Sequence, residues 1–93
     1  MTLRLALDPH HWRAHDRAGW AMDLAAIADK AAPSFLRVEG YELGDTLISI
    51  RMFSGESANR LRKRLKEDAS IVRLRTRLAD LGARPEFEIE ERR

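Results

Sequence analysis

Leu3, Leu5 and Leu7 alternate with Arg4 and Ala6 at one end of the chain, and Phe87 and Ile89 alternate with Glu86, Glu88 and Glu90 at the other. Alternation of period two puts every second side chain on one face, so Thr2 to Leu7 and Pro85 to Glu91 are expected as strands with one apolar side. Neither apolar side can be covered locally, so both runs are expected to join a sheet whose apolar face is covered by helices. Phe35 to Leu43 and Thr46 to Phe53 supply two further strand-like runs, joined at Gly44-Asp45, a short polar break suited to a hairpin. Leu36, Val38, Ile48, Ile50 and Met52 would face the core, and Arg37, Glu39, Tyr41, Ser49 and Arg51 would form a solvated opposite face.

The segments between the strands read as helices. Asp8 can cap free backbone amides, Pro9 suits a first helical position, and Leu7 and Trp12 are spaced to pack across the cap. From Arg17 to Ala32, Trp20, Leu24, Ile27 and Ala31 recur at helical spacing as a core stripe, with Ala18, Ala21, Met22 and Ala25 beside it as a smaller apolar surface. Gly19 and a bend near Asp16 weaken this helix, and Pro33 ends it. Ser54 is a candidate cap for the next helix, whose apolar stripe is Ala58, Leu61 and Leu65.

A second stripe, Ile71, Leu74, Leu78 and Leu81, lies about 160° around the axis from the first if the helix is unbroken. Both cannot face one sheet. A break at Asp68 to Ser70 is therefore expected, because Asp68 and Ser70 are natural caps. Gly82 suits the C-terminal end of the later helical piece. The resulting order is strand, helix, strand, strand, broken helix, strand. That is an α+β, ferredoxin-like βαββαβ two-layer sandwich with a four-stranded antiparallel sheet and helices on one face. In this topology the last strand lies beside the first, which sets Glu86, Glu88 and Glu90 near Arg4.

At 93 residues the chain is expected to form one domain, residues 1–93. It has no cysteine, which removes disulfides and thiolate metal sites and points to a cytoplasmic setting. No run reaches the roughly 18 apolar residues that span a bilayer, and Met1 to Asp8 is too short for a signal peptide, so no membrane partner is expected. Arginine outnumbers lysine 14 to 3 beside 13 alanines, a bias typical of GC-rich coding, so arginine content alone is poor support for phosphate binding.

Few residue constellations suggest chemistry. His11 and His15 stand one helical turn apart and could hold a metal with His10, Asp8 or Asp16, but Trp12 occupies the place where zinc proteases carry their glutamate. Solvent-exposed helix histidines explain the pair better. G-x-S-x-G elbows and glycine-rich phosphate loops do not occur, and the glutamates of the last strand alternate into water, so no enzymatic activity, cofactor or metal site is expected.

Two surfaces remain. The first is a protein-interaction surface for an adaptor or regulatory module, with a homodimer as its simplest form, drawn from Trp12, Ala18, Met22, Ala25, Tyr41, Ile71, Leu74 and Leu78 together with the free edges of the sheet. The second is a nucleic-acid surface on the basic segment 60–77, using Arg60, Arg62, Lys63, Arg64, Lys66, Arg73 and Arg77. The cations wrap around that helix instead of forming one stripe, so the protein-interaction reading ranks first and nucleic acid second. A small metal-dependent enzyme at His11 and His15 ranks third.

Overall fold

The computed structural model describes residues 1–7, 17–44 and 46–89. Its elements run β1 (Thr2–Leu7), α1 (Arg17–Ala31), β2 (Arg37–Leu43), β3 (Leu47–Phe53), α2 (Ala58–Glu67), α3 (Ala69–Asp80) and β4 (Ala83–Glu88). The strands form one antiparallel sheet in the order β2-β3-β1-β4, the ferredoxin-like arrangement with the first and last strands side by side. α1 packs chiefly on β2 and α3 on β4, so the helices cover one face and leave the other open.

Alternation decides which side chains meet the helices. Leu3, Leu5 and Leu7 of β1 and Ile48, Ile50 and Met52 of β3 are buried, together with Leu36 and Ala83. β4 begins at Ala83, two residues before the alternating run starts, because Ala83 pairs with Leu7 and fills a buried position. On the open face Arg4 Nε reaches Glu88 Oε2 at 3.0 Å and Arg51 Nη1 reaches Glu42 Oε1 at 3.4 Å. Both pairs are more than half exposed, so each stabilises its strand pairing by only about 0.2–1 kcal/mol.

The helical segment breaks where the two stripes demand it. Asp68 is extended, with φ −70° and ψ 126°, and serves both helices. Its N–H donates to the Arg64 carbonyl at 2.9 Å, closing α2, and its Oδ1 accepts the Ser70 N–H at 2.8 Å, opening α3. One non-helical residue rephases the chain, so Leu61 and Leu65 of α2 and Ile71, Leu74 and Leu78 of α3 are all buried. Placing Ile71, Leu74 and Leu78 on an interaction surface is thereby corrected: the break turns their stripe into core. The N-cap of α2 is Ser57, whose Oγ accepts the Arg60 N–H at 3.4 Å, whereas Ser54 accepts the Glu56 N–H at 3.2 Å and shapes the turn before it. Gly82 closes α3 at φ 84°, a left-handed geometry in which a Cβ is strained.

α1 is rotated from its expected orientation. Ala21, Leu24, Ala25 and Ala28 are its buried residues, while Trp20, Ile27 and Ala31 are half-buried on one flank. Small side chains toward the sheet let the helix lie close to it, and the bulky Trp20 and Ile27 fill the side groove. Ala25, expected on the exposed surface, is therefore a core residue.

Candidate functional site

Among the described residues β2 and β4 are the edges of the sheet, and no further strand pairs with the outer backbone groups of either. They differ in what they can accept. Pro85 lies within β4, and a proline in an edge strand has no N–H to give an added strand. β2 contains no proline. The turn that ends it, Gly44, donates its N–H to the Leu47 carbonyl at 2.8 Å and accepts from Arg17 Nη2 at 3.0 Å, which ties the hairpin to the start of α1. Because backbone groups along a strand point alternately to its two neighbours, counting back from Gly44 turns the amides of Leu43 and Tyr41 away from β3.

An irregularity in β2 sets its side chains. Val38 pairs with Met52 and Gly40 with Arg51, so Glu39 is an extra residue with no partner of its own on β3. A bulge of this kind shifts the alternation by one. Tyr41 pairs with Ile50 and Leu43 with Ile48, both buried on the helix side, so Tyr41 and Leu43 also lie on that side. Tyr41 is thus not part of the solvated open face, as uninterrupted alternation would have it. Glu39 introduces the change, and Gly40 accommodates it: a Cβ there would stand 2.8 Å from Arg51 Nη2.

The helix-side rim of β2 is apolar and open. Tyr41 is 39% exposed, Leu43 41% and Met22 of α1 60%. α1 lies over β2 with its half-buried Trp20–Ile27 flank packed against the core, and helical spacing in a right-handed crossover places the exposed Ala18 and Met22 on the opposite flank, toward the free edge. Of the residues expected to form an interaction surface, Ala18, Met22 and Tyr41 are exposed on α1 and β2, the two elements that border this edge. Leu43 joins them; it was missed because its exposure depends on its place at the edge, which alternation alone does not reveal. Trp12, His10, His11, His15, Asp8 and Asp16 lie outside the described residues.

The basic segment makes a separate surface. Arg60, Arg62, Lys63, Arg64 and Lys66 of α2 and Arg73 and Arg77 of α3 are all exposed, and Arg75 is half-buried. Arg64 is engaged: its Nε meets Glu56 Oε1 at 3.4 Å and its guanidinium lies 4.8 Å over the Phe35 ring. Arg62, Lys66 and Arg75 line a groove of about 270 Å³ with Leu65, Phe87 and Ile89, where the Arg75 guanidinium lies 4.9 Å over Phe87. A groove bearing three cations suits an anionic group. Arg73 and Arg77 stand apart from it on α3, so the cations form no single stripe.

A hollow of about 610 Å³ near the start of α2 is bordered by Phe35, Arg37, Phe53, Glu56 and Arg60. Glu56 Oε2 is buried there with no hydrogen-bond partner among the described residues. Ser54 and Ser57 are used by the turn and the helix cap. Among the described residues no three His, Asp or Glu side chains group to hold a metal ion, and no helix is long and apolar enough to cross a membrane. No protein-family model, curated protein or solved structure matches the chain.

Proposed function

We propose that this chain is a protein-interaction module that takes up its partner by strand addition at the free edge of β2. The observation that carries this reading is the pairing of outward-turned backbone groups at Tyr41 and Leu43 with an exposed apolar rim made by the same two residues and Met22. Main-chain hydrogen bonds supply affinity in such docking, and side chains alternating beside them supply selectivity. β4 is the poorer edge because Pro85 withholds a donor.

A photo-reactive phenylalanine analogue in place of Tyr41 tests this in cells. The expected result is a discrete protein adduct, whether with another protein or a second copy, that is lost when Leu43→Pro removes an outward N–H. The same analogue at Val72, exposed on α3, serves as the control. Adducts at position 41 no stronger than at position 72, or unchanged by Leu43→Pro, would remove the reading.

A second reading rests on charge segregation. Residues 58–80 carry eight cations against three carboxylates (Glu67, Asp68, Asp80) in a chain whose net charge is only +2. The Arg62–Lys66–Arg75 groove would then take a nucleic-acid phosphate, and binding would weaken linearly with the logarithm of salt concentration. Absence of duplex binding at low salt rules this second surface out.

A further inference from the structure

We propose that the occupant of the β2 edge is a second copy of this chain, related by a two-fold axis between Glu39 and Gly40, with Arg37 facing the second copy's Glu42 and Val38 facing its Tyr41. This rests on the strand-addition reading above and adds the partner and the register.

The bulge makes the register possible. In an uninterrupted strand, residues five apart lie on opposite faces, so Arg37 and Glu42 could not meet across a two-fold axis. With Glu39 as the extra residue, Arg37 pairs with Phe53 and Glu42 with Ser49, and both lie on the open face. Val38, opposite Met52, and Tyr41, opposite Ile50, both lie on the helix side. Residues directly opposite one another in antiparallel strands share a face, and in this register Arg37 with Glu42 and Val38 with Tyr41 both obey that rule.

Charge then selects it. Each half of the seam sets a cation against an anion on the open face and an aliphatic side chain against an aromatic one on the helix side. Moving the axis to between Gly40 and Tyr41 would set Glu39 against Glu42 in both halves. Placing it on Gly40 would set Val38 against Glu42, which lie on different faces. A bulge ordinarily guards an edge against indiscriminate pairing; two bulges meeting at the axis instead let oppositely charged residues of one face stand opposite each other. The open-face row also continues across the seam. Arg51 already meets Glu42, and Arg37 lies 5.5 Å over Phe53, so the dimer joins two ready-made halves into Arg51, Glu42, Arg37 and Phe53. On the other side, Met22, Tyr41 and Leu43 of both copies cover the joint.

Sedimentation of Arg37→Glu, Glu42→Arg, the double variant and an equimolar mixture of the two single variants tests the register. Both side chains are exposed, so the fold tolerates the changes. Each single variant turns two attractive contacts into two repulsive ones and is expected to weaken self-association by about tenfold. The double variant restores it within each dimer, because the exchanged charges still face one another. The mixture restores it as a heterodimer, in which both positions of one protomer are acidic and both of the other are basic. The chain carries no cysteine, so a disulfide formed between protomers bearing Arg37→Cys and Glu42→Cys gives an independent readout. A wild-type chain that stays monomeric at millimolar concentration overturns the proposal, as does a dimer indifferent to both charge changes. Photo-adducts at position 41 with a different protein, alongside a monomeric wild type, overturn the second copy as occupant while the strand-addition reading stands.

Discussion

Leu74→Ala is expected to lower the free energy of unfolding by about 2–5 kcal/mol, while Val72→Ala, two residues earlier on the same helix, changes it by no more than about 0.5 kcal/mol. Leu74 has no exposed surface and Val72 is 52% exposed. The difference arises at Asp68. If α2 and α3 were one helix seated on the sheet by Leu61 and Leu65, the Ile71–Leu74–Leu78 stripe would point to solvent, and truncating Leu74 would cost little. Urea denaturation of the two variants decides between these arrangements. A large loss places the stripe in the core and the break at Asp68; equal, small losses would restore the unbroken helix.

Ala28→Leu is expected to destabilise by about 1–3 kcal/mol although it adds apolar surface, because the space is already filled. Ala28 is fully buried in α1, with Ala21 above it and Ala25 beside it. These three small side chains set how closely α1 approaches β2. Leucine at 28 must either lift the helix or take a strained rotamer. Ala26→Leu, on the exposed face of the same helix, is the comparison and is expected to stay within about 0.5 kcal/mol. Thermal unfolding of the two variants reads the difference. Equal effects would mean that α1 sits on its Trp20–Ile27 flank, as its largest side chains suggest.

The orientation of α1 is not written in its hydrophobic spacing. Hydrophobic spacing locates α1 but weights residues by size, so Trp20, Leu24, Ile27 and Ala31 stand out as the inner stripe. Packing close to a sheet instead favours alanines, and the bulky residues move to the flank. The strands were legible because alternation is a direct consequence of the pleat, and the hairpin because Gly44 closes it. The helix break was legible as well, since two stripes out of phase cannot both be satisfied by one helix. The bulge at Glu39 was not. Apart from Gly40, a residue frequent at bulges, nothing in Val38-Glu39-Gly40-Tyr41 distinguishes a regular strand from a bulged one until its pairing with β3 is known. The candidate site inherits that blind spot, because the bulge alone moves Tyr41 from the solvated face to the apolar rim. Ile71, Leu74 and Leu78 show the converse: the break that sequence anticipates removes them from any surface.

The orientation of the Tyr41 ring therefore decides whether β2 is bulged and whether its edge carries an apolar rim. Nuclear Overhauser contacts from its ring in the intact chain should reach the methyl groups of Ile48 or Ile50, on the helix side of the sheet. Contacts to the side chains of Ser49 and Arg51 instead would mean an unbulged β2, with Arg37 and Glu42 on opposite faces and no rim for a partner to cover.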